Sequence, residues 1–144
     1  MRLSTRFWIC CLGIAFAAHG QEARTDCKDL GYVNRNPAEY PPLLVSRIKG
    51  VALDAQHLPI DACVGIFTEP DRNLIAVAGT DESGHFELTG IPDGKYRLVI
   101  KASYTGFCPA NIKLEIDRRA KTKKTLTAQM RPASSDTCSW IELK

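Results

Sequence analysis

The feature that most constrains this fold is a series of short segments in which apolar and polar residues alternate. Turn-forming clusters rich in Gly, Pro and Asp separate the segments, and none shows the 3.6-residue period of a helix. Successive side chains of a strand point to opposite faces, so each segment can bury one face. Seven segments predict an all-β, seven-stranded fold of two packed antiparallel sheets, with a small closed barrel as the alternative. The segments are 48–54, 62–68, 74–79, 85–91, 95–102, 112–116 and 125–130.

Segment 95–102 alternates most clearly. Its predicted core face consists of Tyr96, Leu98, Ile100 and Ala102. Its other face, which we expect to be mostly exposed to water, consists of Lys95, Arg97, Val99 and Lys101. In the last segment, the residues predicted to point inward are Leu126, Ala128 and Met130.

Residues 1–20 have the pattern of a secretory signal peptide. Arg2 and Arg6 precede the apolar run 7–18, and small residues follow near position 20. This run is too short to span a bilayer as a helix, so we expect no membrane span. The alternative is a buried N-terminal helix of a cytosolic protein. A signal peptide predicts export, either to a periplasm or to the extracellular space.

The six cysteines divide into two groups. Cys10 and Cys11 lie within the expected signal peptide, so four cysteines remain after its removal. An even number of cysteines in an exported chain predicts disulfides. We favour Cys27–Cys138 and Cys63–Cys108, although spacing leaves all three possible pairings open. No two of these cysteines have metal-site spacing, so we expect no metal.

The chain divides into four predicted parts. The signal peptide is followed by an irregular extension, 21–46, which Pro37, Pro41 and Pro42 keep from forming a helix or central strand. The β-sandwich covers 47–132. The tail, 133–144, contains an apolar cluster around Trp140 that could add an edge strand held by Cys138.

Charge gives one candidate binding segment. Loss of Arg2 and Arg6 would lower the formal charge from +3 to +1, so we expect no nucleic-acid partner. Five of the seven residues in 118–124 are nevertheless basic: Arg118, Arg119, Lys121, Lys123 and Lys124. This segment is either a solvated loop that discourages edge pairing or a contact for anions such as phosphorylated head groups, an acidic polysaccharide or an acidic partner.

Three aromatic residues form a second candidate. Tyr104 and Phe107 flank a predicted loop, and Trp140 lies in the tail. Aromatic rings can stack on the apolar faces of sugars, and loops at sandwich ends often carry function. The alternative is that these rings cover the end of the core.

The residues 47–132 resemble a carboxypeptidase regulatory-like domain. The resemblance rests on 49–54, on 58–64, on the pair Gly106-Phe107 and above all on 80–98, where Gly84, Gly90 and Gly94 punctuate the strands. It implies a seven-stranded, immunoglobulin/prealbumin-like β-sandwich, to which the cysteines add the expected disulfide staples. It also implies roles in turns for the glycines and roles in packing for Phe86 and Tyr96. The resemblance implies little about function, because one fold serves many activities.

Catalytic patterns are weak in this sequence. There is no HExxH or GxSxG motif. His85 and Glu87 share one face of a predicted strand, where they are either a weak surface metal site or, as we favour, two solvated residues beside a turn. Residues 81–84 are either a calcium loop or a tight turn with glycine, and we favour the turn. We therefore expect no cofactor and no catalytic residues. The expected function is an exported, non-catalytic binding module for a carbohydrate, an envelope polymer or a protein. The alternatives are a small secreted hydrolase or metal-dependent enzyme and a structural accessory subunit.

Overall fold

The computed structural model describes residues 27–33 and 41–144, which contain nine β-strands. The expected signal peptide lies outside the described residues. The strands are β1 (Leu43–Val45), β2 (Ile48–Leu53), β3 (Ala62–Thr68), β4 (Leu74–Gly79), β5 (His85–Leu88), β6 (Gly94–Ala102), β7 (Ala110–Ile116), β8 (Leu126–Gln129) and β9 (Trp140–Leu143). Over the described ranges, no helix is long and apolar enough to cross a membrane.

The strands form two sheets, one with the order β1-β7-β6-β3-β4 and one with the order β5-β2-β8-β9. The prediction of seven strands was too low, because β1 lies in the extension that we expected to be irregular and β9 lies in the tail. The prediction of purely antiparallel sheets was also wrong. β1 runs parallel to β7, and β2 runs parallel to β8. Alternation within a strand indicates which side chains are buried, but it carries no information about a neighbour's direction.

Both sheets contribute to a common apolar core. The core faces predicted for 95–102 and 125–130 are buried, with Leu98, Ile100 and Leu126 fully inaccessible to solvent. At Gly50 the β2 backbone lies so close to β8 that an added Cβ atom would overlap the Leu126 carbonyl oxygen. Glycine therefore permits the parallel pairing that places β8 in the middle of its sheet.

The outer face of the five-stranded sheet is covered in part, so our expectation of a mostly wet face on β6 was wrong for Arg97 and Val99, whereas Lys95 and Lys101 are exposed. Arg97 is only 3% exposed and Val99 is fully buried. Residues 27–33 pack over this face, where Cys27 and Leu30 join Val99 in a second apolar cluster. The alternation assigned the correct face to each residue. It could not reveal that a distant segment lies on that face.

The disulfides are Cys27–Cys63 and Cys108–Cys138, with Cα–Cα distances of 5.3 and 5.4 Å. The pairing that we favoured was therefore wrong. Cys63 lies on β3 opposite Lys101, on the sheet face that residues 27–33 cover, so its neighbour is Cys27. Cys108 follows β6 and lies beside the loop that carries Cys138.

The strand registers define two ends of the molecule. One end, which we call the bridged end after the Cys108–Cys138 disulfide, consists of the loops 54–61, 80–84, 103–109 and 130–139. The opposite end, which we call the basic end, consists of the loops 46–47, 69–73, 89–93 and 117–125. The C-terminal residue Lys144 also lies at the basic end, because its backbone pairs with Thr125.

Candidate functional site

Two loops of the bridged end, 103–109 and 130–139, are joined by several independent contacts. The Cys108–Cys138 disulfide links them covalently. Phe107 forms a β-bridge with Pro132, and the Cys108 amide donates a 2.9 Å hydrogen bond to the Arg131 carbonyl. These loops therefore form one connected unit on the end of the sandwich.

Ser139 strengthens this connection through its hydroxyl group. The oxygen accepts a 2.8 Å hydrogen bond from the Arg131 amide, and the hydroxyl donates a 2.6 Å hydrogen bond to the Cys108 carbonyl. One side chain thus satisfies a backbone donor and a backbone acceptor on different loops, beside the disulfide. Such contacts reduce the conformational freedom that a ligand would otherwise have to remove on binding.

The three predicted aromatic residues all lie on or directly beside this unit. Tyr104 is 52% exposed and packs edge-to-face against Phe107, with ring centroids 5.4 Å apart. Phe107 is partly buried and packs against the core, so it supports Tyr104. Trp140 is 38% exposed, and the Arg131 guanidinium lies 5.0 Å from the centre of its ring.

The two exposed rings can make specific contacts with a ligand. Large aromatic side chains contribute much contact area at a low entropy cost, and Tyr and Trp also offer a polar group. Tyr104 and Trp140 are the large exposed aromatic residues of the described chain, and each lies within four residues of a cysteine of the Cys108–Cys138 disulfide.

The five predicted basic residues lie far from these rings. All of them belong to the loop between β7 and β8, at the basic end, and all are exposed. Arg118 donates a 2.9 Å hydrogen bond to the Ile91 carbonyl and lies 3.6 Å from the Asp93 carboxylate. Arg119 lies 3.5 Å from Asp117. The structure thus separates the two candidate groups instead of bringing them together.

The turn at 81–84 is held by Asp81. Its Oδ1 accepts hydrogen bonds from the Ser83 and His85 amides at 2.9 and 2.8 Å, and Gly84 has a φ of +76°. These contacts are those of a tight turn, which favours that interpretation over a calcium loop. Within the described residues, no group of three or more His, Cys, Asp or Glu side chains is placed to hold a metal ion.

His85 and Glu87 line a shallow cavity of about 360 Å³ beside β2 and β5. Lys49, Asp81 and Thr125 complete its polar lining, and the His85 Nδ1 atom lies 3.7 Å from the Asp81 carboxylate. Both members of this pair are exposed, so solvent screens their interaction.

An ion pair between the buried Arg97 and the partly exposed Glu69, on the outer face of the five-stranded sheet, was not predicted from the sequence. The Arg97 Nε atom donates a 2.7 Å hydrogen bond to the Glu69 carboxylate, and Nη1 donates a 2.9 Å hydrogen bond to Asn111. The Tyr32 hydroxyl donates a 3.0 Å hydrogen bond to the same Glu69 oxygen. Because Tyr32 belongs to residues 27–33, this pair helps to fix that segment on the sheet.

The Glu69 pKa reflects these opposing influences. Burial raises it, but hydrogen bonds from Arg97 and Tyr32, together with the positive charges of Arg97 and Lys113, outweigh burial and lower the pKa below its ordinary value. Glu69 is therefore ionised at neutral pH and matches the buried Arg97 charge. In the sequence, the only indication of this ion pair is that Arg97 lies on a predicted strand face that also carries the apolar residue Val99.

Comparison of the sequence with protein-family models and with curated proteins finds no match to either. The function must therefore be argued from the geometry of the two ends.

Proposed function

We propose that this protein is an exported, non-catalytic binding module that holds a neutral carbohydrate at its bridged end. The observation that carries the proposal is the placement of Tyr104 and Trp140. Both rings are exposed, and both lie on or beside loops that Cys108–Cys138 joins. Aromatic faces stack on the apolar faces of pyranose rings, and rigid loops reduce the entropy cost of binding.

Export is part of the proposal. Its support is the basic and apolar pattern of residues 1–20 together with two disulfides, which are compatible with an oxidising compartment. Disulfides of this kind are rare in a reducing cytosol.

We further propose that 47–132 is a carboxypeptidase regulatory-like domain. The support is local. Gly84 and Gly94 both have positive φ angles, and Phe86 and Tyr96 are buried. The Tyr96 hydroxyl donates a 2.9 Å hydrogen bond to the Pro92 carbonyl, which ties the start of β6 to the preceding turn. These are the turn and packing roles that the resemblance implies.

Calorimetric titration with cellohexaose, mannohexaose and chitohexaose tests the binding function. We expect at least one of these neutral sugars to bind. Tyr104→Ala and Trp140→Ala should each weaken binding by about tenfold, because each removes one stacking ring, and tenfold corresponds to about 1.4 kcal/mol. Trp140 is one of two tryptophans, and the other is Trp8 of the expected signal peptide. A change in tryptophan fluorescence on binding would therefore report directly on this site in the exported protein.

Leu58→Ala is the matched control. Leu58 is 59% exposed and lies in another loop of the same end. Its truncation should leave the affinity unchanged. Failure of all three sugars to bind would contradict the proposed function, as would an equal loss of affinity in the Leu58 variant.

A further inference from the structure

Several cations of the basic end form no ion pair with the part of the chain that the structure describes. Among the described residues, Lys121, Lys123 and Lys124 form no ion pair, and Arg119 has a side chain 91% exposed with one contact of 3.5 Å. Binding of an anionic ligand would reduce the electrostatic repulsion among the basic side chains of this loop. The cations therefore favour binding of negative charge, not only solubility.

Arg47 extends this charge from a second loop. The Ser46 hydroxyl donates a 3.5 Å hydrogen bond to the Thr122 carbonyl, which places the turn between β1 and β2 against the basic loop. Arg47 is exposed and forms no ion pair with the part of the chain that the structure describes. Thus two loops that are distant in sequence present cations on the same end.

A cavity of about 380 Å³ lies between these loops. Arg47 and Arg118 line it, together with the turn at Thr89, Gly90 and Ile91, and its floor is apolar, formed by Ile48, Leu88 and Ile116. Gly90 has a φ of +75°, and no atom lies within 4 Å of the position where its Cβ would be, so the cavity is open at this turn. The Arg118 guanidinium is oriented by its hydrogen bond to the Ile91 carbonyl and by the Asp93 carboxylate, which lies 3.6 Å from its Nε atom. Its remaining N–H donors are available to an anion.

We propose that the basic end binds an acidic polysaccharide, with one sulfate or carboxylate group between Arg47 and Arg118 and the following anionic groups along Lys121, Lys123 and Lys124. Arginine suits the first position because its planar fork matches an oxyanion, and flexible lysines suit a repeating charge. This site is independent of the aromatic surface at the bridged end.

The composition of the basic loop favours a polysaccharide over a membrane. Surfaces that bind bilayers usually combine cations with apolar or aromatic side chains that enter the interface. Residues 118–124 contain Ala120 as their only apolar residue. The same lack of aromatic rings disfavours single-stranded nucleic acid, whose bases stack on such rings.

Calorimetric titration of the purified protein with a heparin hexasaccharide tests this inference. Arg47→Gln should weaken binding by about fivefold to tenfold, because it removes one of the two cations proposed to hold the first anionic group. The fold itself should be unaffected, since Arg47 forms no ion pair with the described residues. The triple variant Lys121→Gln, Lys123→Gln, Lys124→Gln should bind more weakly and lose much of its salt dependence, because fewer counterions are released. Lys101→Gln, an exposed lysine on β6 at the other end, is the matched control and should bind like the wild type.

Two other probes complete the test. Vesicles of phosphatidylcholine and phosphatidylserine should bind more weakly than the hexasaccharide, and cellohexaose should not compete with it. Stronger binding to the vesicles would overturn the proposal in favour of a membrane. It would also be overturned by no binding of the hexasaccharide, by equal loss in the Lys101 variant, or by unchanged affinity in the Arg47 variant. None of these results depends on sugar binding at the bridged end.

Discussion

At the scale of single residues, Arg97 is the charged residue that the described fold buries. Its side chain is 4% exposed, whereas that of its partner Glu69 is 30% exposed. Removing one member of a buried ion pair leaves the other charge without compensation, and this cost exceeds the net contribution of the intact pair. The hydrogen bonds from Tyr32 to Glu69 and from Arg97 to Asn111 extend the pair into a small network.

Glu69→Gln should therefore destabilise the protein in a pH-dependent way. In the folded state the Glu69 pKa is lowered, so ionisation stabilises the fold at pH values above the ordinary glutamate pKa. This contribution is lost as the pH falls through the lowered pKa. We expect the variant to lose about 1–2 kcal/mol of unfolding free energy at pH 7, less than the upper limit of about 3 kcal/mol for a hydrogen bond to a charged group, because solvent screens the partly exposed Glu69 carboxylate. The difference from wild type should shrink below pH 4.

Urea unfolding of both proteins between pH 3 and pH 7 measures this difference. Glu142→Gln is the control, because Glu142 and Lys144 form a 2.9 Å ion pair in which both side chains are exposed. Exposed pairs contribute little, so this variant should unfold like the wild type. A constant difference across the pH range would show that Glu69 acts through packing and not through its charge.

At the scale of elements, the two disulfides perform different tasks. Cys27–Cys63 is buried and holds residues 27–33 over Phe67 and Val99. Cys108–Cys138 joins two loops of the bridged end, and Cys138 is exposed. Thiol–disulfide exchange requires a thiolate to reach a sulfur atom, so accessibility controls its rate.

Mild reduction should open Cys108–Cys138 before Cys27–Cys63. Timed exposure to low concentrations of dithiothreitol, followed by alkylation and peptide mass spectrometry, measures the order directly. Peptides with Cys108 and Cys138 should be alkylated first, while those with Cys27 and Cys63 remain protected until the fold opens. Equal rates for both bonds would contradict the protection that we assign to residues 27–33.

The strands also show which features of the fold the sequence pattern predicts and which it does not. Alternation located the segments that become β2 to β8, because a strand with one buried face must repeat every two residues. It missed β1, which has only three residues and follows Pro41 and Pro42. It also missed the covering of Val99, since a local pattern does not identify the distant segment that packs on it.

The candidate site was predictable to a similar extent. Residue type alone singled out Tyr104 and Trp140, and both are exposed. The disulfide that links their loops was not predictable, because the pairing of Cys108 depends on Phe107 meeting Pro132 across the end of the sandwich. Which loops meet is a property of sheet topology and not of cysteine spacing.

At the scale of the whole molecule, charge is separated along the strand direction. The four loops of the bridged end contain five acidic residues and one arginine: Asp54, Asp61, Asp81, Glu82, Asp136 and Arg131. The loops of the basic end, with Lys144, contain eight basic and four acidic residues. The net charge of +3 does not reveal this separation of acidic and basic residues. The separation disfavours anionic ligands at the bridged end and favours them at the basic end.

The two ends should therefore bind their ligands independently. β6 has nine residues, which at about 3.3 Å per residue separates the ends by about 30 Å. This is several Debye lengths at physiological ionic strength, where the length is about 8 Å, so a bound polyanion should hardly alter the potential at Tyr104 and Trp140. We expect the affinity for the heparin hexasaccharide to change by less than about twofold when the bridged end is saturated with its neutral sugar. Because coupling between two binding sites is reciprocal, titration in either order must give the same answer. A tenfold change in both orders would mean that the ligands share a site or that the sandwich transmits a conformational change between its ends.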